Sequence, residues 1–425
     1  MYEFFLQKYR KETKFANRKF SLCKLMFPCI FTVGVSLISA SIHAQDMAPI
    51  KDTSEQKDLI DIAKQTFHFH EKKMPNRGTK KVYFSFLPFS TQMPGGGNAL
   101  VSATTAGFYL NDRKTTSLST ATFYPYLTLI GRFGYSLQTG LWLKENKWNV
   151  LGDTRYLYYP QNTWGLGGKI PNDHKVEVQY KYIRFYQTFL RQIKPYFLAG
   201  IGYHIDNHIN IQTIDDTLGL QKFTGYDYGT QTGSTSLSTG LSLNILYDGR
   251  INAFNPLPGY YGNLVYRFSP QFLGSNNNWN SLYLDLRHYI PFSTIKKDML
   301  SFWTFYWTGL NDNTPYLDLP SIGWDPYQQR SGRGFDQNRY RGKGLLYFET
   351  EYRKDITDNG LFGYVLFANF NSVTEKNSSQ YAYLHMAAGA GLRIKFNKGS
   401  GTNIGIDYGI SKGYSAIYFN LGETF

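Results

Sequence analysis

Two places bring metal-ligating side chains together: His204 and His208 on either side of Asp206, and His68 with His70. Imidazole and carboxylate donors would suit zinc. A helix would put positions 204 and 208 on one face. In extended chain they lie about 13 Å apart at strand rise, straddling the end of a strand pattern. No metal site is expected at either place. Gly95-Gly96-Gly97 lacks the Gly-Lys-Ser/Thr sequel of a phosphate loop and reads as a loop tip. No Gly-x-Ser-x-Gly elbow occurs. Neither a cofactor nor a catalytic group is expected, and the chain does not read as an enzyme. The charges that remain are regularly placed. Tyr347, Glu349, Glu351 and Arg353 share one parity, as do Gly389, Gly391, Arg393 and Lys395, and again Asn403, Gly405, Asp407 and Gly409. Carboxylates and guanidinium groups set out this way can pair across a polar wall. The opposite parities are apolar: Leu346, Phe348 and Tyr352; Ala388, Leu392 and Ile394; Ile404, Ile406, Tyr408 and Ile410.

Strands are the elements that hold such a pattern, because successive strand side chains point to opposite faces. The same alternation recurs elsewhere. Leu237, Leu241, Leu243, Ile245 and Tyr247 oppose Ser236, Ser238, Gly240, Ser242 and Asn244. Ile417, Phe419, Leu421 and Phe425 oppose Ala416, Tyr418, Asn420 and Gly422. A soluble sandwich also has one apolar face per strand. Here about sixteen aromatic-rich segments follow an export signal, the pattern of an outer-membrane barrel, apolar outward and wet inward. A charge on the lipid face costs about 2–4 kcal/mol at mid-depth, so Glu349, Glu351, Arg393 and Asp407 are assigned to the lumen.

Composition agrees. The 425 residues include 35 Tyr and 32 Phe, while charged residues are only 18%. Barrels concentrate aromatics in girdles at both membrane interfaces. A mean hydropathy of −0.38 is compatible with a wall whose alternate side chains face water. After residue 44 no stretch approaches the ~20 apolar residues of a membrane helix. The net charge of +14 owes much to the first 44 residues, where Lys8, Arg10, Lys11, Lys14, Arg18, Lys19 and Lys24 meet only Glu3 and Glu12. Beyond them 38 basic residues face 29 acidic ones, or +9. The basic residues are scattered, so nucleic acid is not an expected partner.

A basic stretch to Lys24, an uncharged run from Leu25 to Ala40 and small residues up to Ala44 read as a cleaved signal peptide over 1–44. An uncleaved anchor is the alternative. Cys23 and Cys29 both lie in this leader, so no disulfide is expected in the mature chain. Residues 45–80 read as a periplasmic linker or a short helix. In the helix, Thr53 and Gln56 would form a capping box ahead of Leu59, Ile60, Ala63 and Phe67.

The barrel is expected over 81–425. Its strands are read near 81–90, 98–110, 115–129, 134–145, 147–159, 176–190, 195–206, 234–247, 260–269, 280–290, 298–309, 344–354, 360–371, 382–396, 402–411 and 414–425. Short links such as Arg191–Lys194, Thr357–Asn359 and Lys398–Gly401 mostly alternate with long ones near 207–233, 310–343 and 372–381. Outer-membrane barrels put short turns in the periplasm and long loops outside.

Three passages resemble the BamA/TamA family of outer-membrane proteins, the bacterial surface antigen family. The first fits D-x-R-x-N-x3-P-x2-G through Asp248, Arg250, Asn252, Pro256 and Gly259, with Gly249 and Ile251 where the family has Thr and Asp. Such residues make a tight, self-bonded turn, here periplasmic. The second is Arg333-Gly334-Phe335 in the longest late loop, similar to a motif that the family folds back into its lumen. From the residues alone, the passage is either a solvated basic loop or an Arg on a Gly-flanked tether that reaches a carboxylate. Glu349, Glu351 and Asp407 are the candidate partners. The third is the run from Gly391 to Phe425, whose last aromatic is similar to the terminal strand signal of outer-membrane barrels.

The expectation is therefore an all-β transmembrane antiparallel barrel of about sixteen strands with an extracellular loop in its lumen. Its place is the bacterial outer membrane, among outer-membrane lipid. The resemblance implies protein assembly or translocation, with unfolded outer-membrane proteins as clients and a seam between 81–90 and 414–425. The family's periplasmic POTRA modules do not fit between Gln45 and Lys80, so a separate periplasmic partner is implied. A passive pore or a structural surface antigen is the alternative.

Overall fold

Alternation in sequence becomes alternation in space. The computed structural model describes residues 56–66, 82–92, 98–112, 115–128, 132–158, 160–214, 218–250, 255–256, 258–292, 298–327, 331–398 and 401–425. The strands are β1 Val82–Gln92, β2 Asn98–Phe108, β3 Ser119–Thr128, β4 Phe133–Trp142, β5 Trp148–Tyr158, β6 Gln161–Thr163, β7 Val176–Lys194, β8 Phe197–Ile214, β9 Ser236–Asp248, β10 Gly259–Ser269, β11 Trp279–Pro291, β12 Met299–Gly309, β13 Gly344–Asp355, β14 Phe362–Val373, β15 His385–Asn397, β16 Thr402–Ser411 and β17 Tyr414–Leu421. Among the described residues two short α-helices accompany them, α1 Leu59–Thr66 and α2 Gly219–Thr224.

Seventeen strands form one sheet. The addition to the expected set is β6. It pairs with β7 at Gln161↔Val178, on the edge that β5 occupies from Trp148↔Arg191 to Tyr158↔Lys181. It thus prolongs β5 past a break, and the sheet has sixteen positions. The other ladders join sequence neighbours, all antiparallel, as in Leu264↔Ile245 and Gly391↔Asp407. Side chains obey the parity read from sequence. Leu243 is 62% exposed on the outer face and its neighbour Ser242 is 2% exposed on the inner one.

The boundary differences with most consequence are in β7, β8 and β17. β7 and β8 run for 19 and 18 residues, well past 176–190 and 195–206. At about 3.3 Å per residue each is near 60 Å long, about twice a hydrocarbon core. The hairpin therefore stands beyond the membrane, and its turn is Pro195–Tyr196, with Tyr196 at φ +64°, rather than Arg191–Lys194. His204 and His208 consequently lie inside β8, not astride its end.

The last difference concerns Phe425. β17 stops at Leu421, and Gly422 turns the chain inward with φ +86°. Phe425, expected on the lipid face, is buried in the lumen against Trp303 and Tyr289. Straight continuation would have put Glu423 in line with Ile417, Phe419 and Leu421, a charge among lipid-facing side chains. Turning inward gives its carboxylate Arg393 instead, at 2.8 Å. The expected ladder between 81–90 and 414–425 is not found among the described residues. β1 and β17 lie side by side, but no register joins them among the described residues.

Ahead of the barrel, α1 caps itself. The Asp58 carboxylate accepts the Asp61 N–H at 2.7 Å and the Asp61 carboxylate accepts the Asp58 N–H at 3.3 Å. The described box is Asp58–Asp61; Thr53, of the expected Thr53–Gln56 box, lies outside the described residues. The same carboxylates hold the turn after β15: Lys398 donates its backbone N–H to Asp58 and its ammonium to Asp61. The expected signal peptide, His68, His70 and Gly95–Gly97 also lie outside the described residues.

Loop 310–343 is folded into the lumen. Tyr316, Leu317, Leu319, Ile322, Trp324, Phe335 and Tyr340 are all buried. Ile322, Phe335 and Tyr340 join the wall residues Tyr283, Trp303, Phe305 and Tyr347 in one apolar cluster. Tyr316, Leu317, Leu319 and Trp324 join Val178, Tyr180, Tyr182 and Ile211 of β7 and β8 in a second cluster, so a segment with few strand signals contributes to both.

Candidate functional site

The site is where that loop meets β13–β17. Arg333 is 3% exposed and its guanidinium spans three carboxylates. Nη1 donates to Asp407 at 2.7 Å, Nε donates to Glu349 at 3.0 Å, and Nη2 donates to both Glu349 and Glu351. The guanidinium plane also lies 3.8 Å over the Phe367 ring. Glu349 and Glu351 point inward because both hold the odd parity of β13, and Asp407 does so on β16.

The tripeptide backbone is held as firmly as its side chain. The Gly332 N–H donates to the Tyr347 hydroxyl and the Gly334 N–H to the Tyr418 hydroxyl, both at 2.9 Å. The Arg333 carbonyl accepts from Asn369 at 2.8 Å. Gly334 sits at φ +93°, where a Cβ would come within 2.8 Å of the Ala387 Cβ. Gly409 opposite it would collide with the Gly334 nitrogen if it carried a Cβ, at 2.7 Å. The motif needs glycine on both sides of the contact. Phe335 packs edge-on against Tyr340, whose ring stacks on His385.

Two further arginines extend the network. Arg393 donates to Asp407 at 2.5 Å and Arg353 to Glu351 at 2.7 Å. Their inward parity was visible in sequence. Their bridging role was not, since nothing in the spacing says which carboxylate each reaches. Tyr347 and Tyr418 were placed by parity but not given partners, and Asn369, also at an inward position, carried no signal of its own.

A second buried cluster lies on β7, β8 and β10. The Asp206 carboxylate accepts from Tyr182, from Tyr186 at 2.6 Å, from Arg267 at 2.5 Å and from Arg184 at 3.3 Å. Arg184 also donates to the Pro326 carbonyl of the loop at 2.6 Å. His204 and His208 stack on Tyr186 and Tyr182. No group of three or more His, Cys, Asp or Glu is placed to hold a metal among the described residues.

The loop's outer part carries a titratable pin. Asp318 accepts from the Ser238 hydroxyl at 2.6 Å. Burial, with the Asp206 charge nearby, pushes its carboxyl up to about 7. A raised acid favours the seated loop when protonated, so that contribution is full below the ordinary carboxylate value near 4 and is lost by the time pH reaches about 7. Protease cleavage within 310–343 is expected to quicken as pH rises from about 4 to about 7 and to level off above that. Asp318→Asn should flatten the dependence, and an unchanged pH profile in that variant would remove Asp318 from this role.

Three other connections hydrogen-bond to this loop or to one another. Glu375 accepts the Gly168 N–H at 2.8 Å, Arg339 donates to the Asn172 side chain at 3.1 Å, and the Tyr226 hydroxyl donates to the Thr314 carbonyl at 2.6 Å. In the turn after β9, Arg250 pairs with Asp248 through two 2.8 Å bonds and lies over Tyr261. Pro256 and Gly259 follow in the described chain, with Gly259 opening β10; Asn252 lies outside it.

These features define a class: an outer-membrane β-barrel whose lumen is occupied by its own extracellular loop. The chain belongs to the Omp85 superfamily, whose domain matches residues 131–425. It is similar to BamA from Haemophilus ducreyi lacking POTRA domains 1–3, with TM-score 0.51 and 13% identity over 80% of this chain and 69% of that one. It is also similar to CdiB from Acinetobacter baumannii, at TM-score 0.53 and 15% identity over 81% of this chain and 60% of that one. CdiB from Escherichia coli gives TM-score 0.53 and 13% identity over 80% and 62%. The chain thus spans about three-fifths of each CdiB, and at these identities the likeness is one of fold. A search of curated proteins finds no match to the sequence. Membership places the chain in the bacterial outer membrane as a non-enzymatic barrel.

Proposed function

We propose that this barrel assembles or translocates polypeptides at the outer membrane and is not an open diffusion pore. The observation that carries this reading is the occupied lumen: Arg333 holds the loop against Glu349, Glu351 and Asp407, and Asn172 and Tyr226 of other connections hydrogen-bond to it. A passive pore needs an aqueous path. The short β17, without a ladder to β1 among the described residues, supplies an edge on which an incoming strand could pair. The substrates proposed are unfolded outer-membrane proteins. A separate periplasmic partner would collect them, with 1–44 as the export signal and 45–80 as the lead-in to the barrel.

Depletion in cells is the direct test. Other outer-membrane barrels should accumulate unfolded in the periplasm, and purified protein in liposomes should speed the folding of a urea-unfolded barrel. Normal assembly of all other barrels after depletion, with steady large conductance in bilayers, would favour a passive pore instead.

A further inference from the structure

Residues Gly422–Phe425 form a hook inside the lumen. The Gly422 N–H donates to the Asn403 carbonyl at 2.8 Å. The Glu423 carboxylate accepts from Arg393 Nε at 2.8 Å and from Asn403 Nδ2 at 2.7 Å. The Phe425 carbonyl accepts from Arg353 Nη2 at 2.9 Å, and the Phe425 ring lies 5.3 Å from that of Trp303 with the Arg353 guanidinium 5.2 Å above it. Both arginines have a second commitment. Arg393 also holds Asp407, and Arg353 also holds Glu351, which are two of the three carboxylates that grip Arg333.

We infer that Gly422–Phe425 is a lumenal latch whose seating is coupled to the seating of loop 310–343 through Arg353 and Arg393. The two paths are Arg333–Glu351–Arg353–Phe425 and Arg333–Asp407–Arg393–Glu423. When the loop leaves, Asp407 and Glu351 lose a cation each and draw their remaining arginines more strongly. Arg393 and Arg353 then turn away from Glu423 and Phe425. When the latch leaves, the arginines relax toward the carboxylates and weaken their hold on Arg333. Coupling of this kind is reciprocal.

The latch is also poised to leave. Thr424 Oγ1, Arg353 Nη1, Trp303 Nε1 and Tyr289 Oη are buried without a hydrogen-bond partner among the described residues. Each such group is less favourable buried and unpaired than solvated. Water entering on release would satisfy them, offsetting the lost ion pair. Release would also free residues 422–425 to prolong β17, the strand that faces β1. The inference concerns a conformational device and stands independently of the proposed assembly function.

The test uses full-length protein in detergent and in liposomes. Glu423→Gln touches no loop residue, yet trypsin cleavage within 310–343 should rise about fivefold or more, the lower end of ordinary coupling strengths. In the other direction, Arg333→Ala should raise maleimide labelling of a Thr424→Cys variant by a similar factor. Asn403→Ala removes only one bond to Glu423 and should shift loop cleavage the same way by less. It keeps the question answerable if Glu423→Gln does not fold. Variants are first checked for heat-modifiable migration on gels, the mark of a folded barrel. Folded variants in which loop cleavage ignores position 423 or 403, or in which labelling at position 424 ignores position 333, would overturn the coupling.

Discussion

Arg333→Ala is expected to release loop 310–343 from the barrel wall, raising protease cleavage in the loop and producing conductance bursts in planar bilayers. The effect should be large because the substitution strands buried carboxylates. Breaking a buried ion pair by removing one partner costs about 3–5 kcal/mol. The three acids are not equally exposed to that loss. Asp407 keeps Arg393 and Asn420, and Glu351 keeps Arg353. Glu349 keeps the Tyr347 hydroxyl, a neutral donor. Glu349→Gln should therefore rescue Arg333→Ala more than Asp407→Asn or Glu351→Gln does. Arg333→Lys should behave nearly as badly as alanine, since a single ammonium cannot reproduce a planar fork that engages three carboxylates. Double-mutant cycles on the urea-unfolding midpoint measure these couplings. Additive behaviour for all three pairs would mean that the anchor does not hold the loop.

Leu243→Arg should prevent or strongly weaken insertion, whereas outward positions close to the strand ends should tolerate the same change. Leu243 lies midway along β9 and is 62% exposed on the outer face. Arginine at the bilayer midplane of a barrel costs about 2–4 kcal/mol, falling to about 0–1 near the interfaces. Tyr247, on the same face one residue from the end of β9, is the matched control. Folding yield into liposomes, scored by heat-modifiable migration, should fall much more for Leu243→Arg than for Tyr247→Arg. Equal yields would mean that lipid does not contact position 243, and the membrane orientation of this strand would be wrong.

Parity was the quantity that sequence carried best. A one-residue slip would move every side chain of a strand to the other face. The clean alternation of Leu241, Leu243 and Ile245 with Ser242 and Asn244 therefore fixes which side meets lipid. The same argument identifies Glu349, Glu351, Arg353, Arg393 and Asp407 as inward without any knowledge of pairing. Strand ends were read less well where polar hairpins rise beyond the membrane. There, β7 and β8 keep their alternation after lipid has ceased to demand it. β6 was missed because three residues are too few to show a period.

The residues of the loop anchor could be nominated from sequence because an arginine between glycines is chemically conspicuous and the wall acids were already assigned to the lumen. Glycines at positions 391, 405 and 409 carried a further signal that went unused, the room needed on the wall for Asp407, Arg393 and the loop backbone. The inward turn at Gly422 could not be read locally. Phe425 continues the apolar parity of β17, and only the charge of Glu423 argues against extension.

The amino-acid order alone determined that this chain is a membrane barrel and which side chains face water, because both follow from a two-residue period acting within single strands. Tertiary structure alone decided that the lumen is occupied, that Arg333 bridges three acids at once, and that residues 422–425 fold inward. Those outcomes depend on which charges meet across residue separations from 16 to 74, and buried charge selects its partner by position in space.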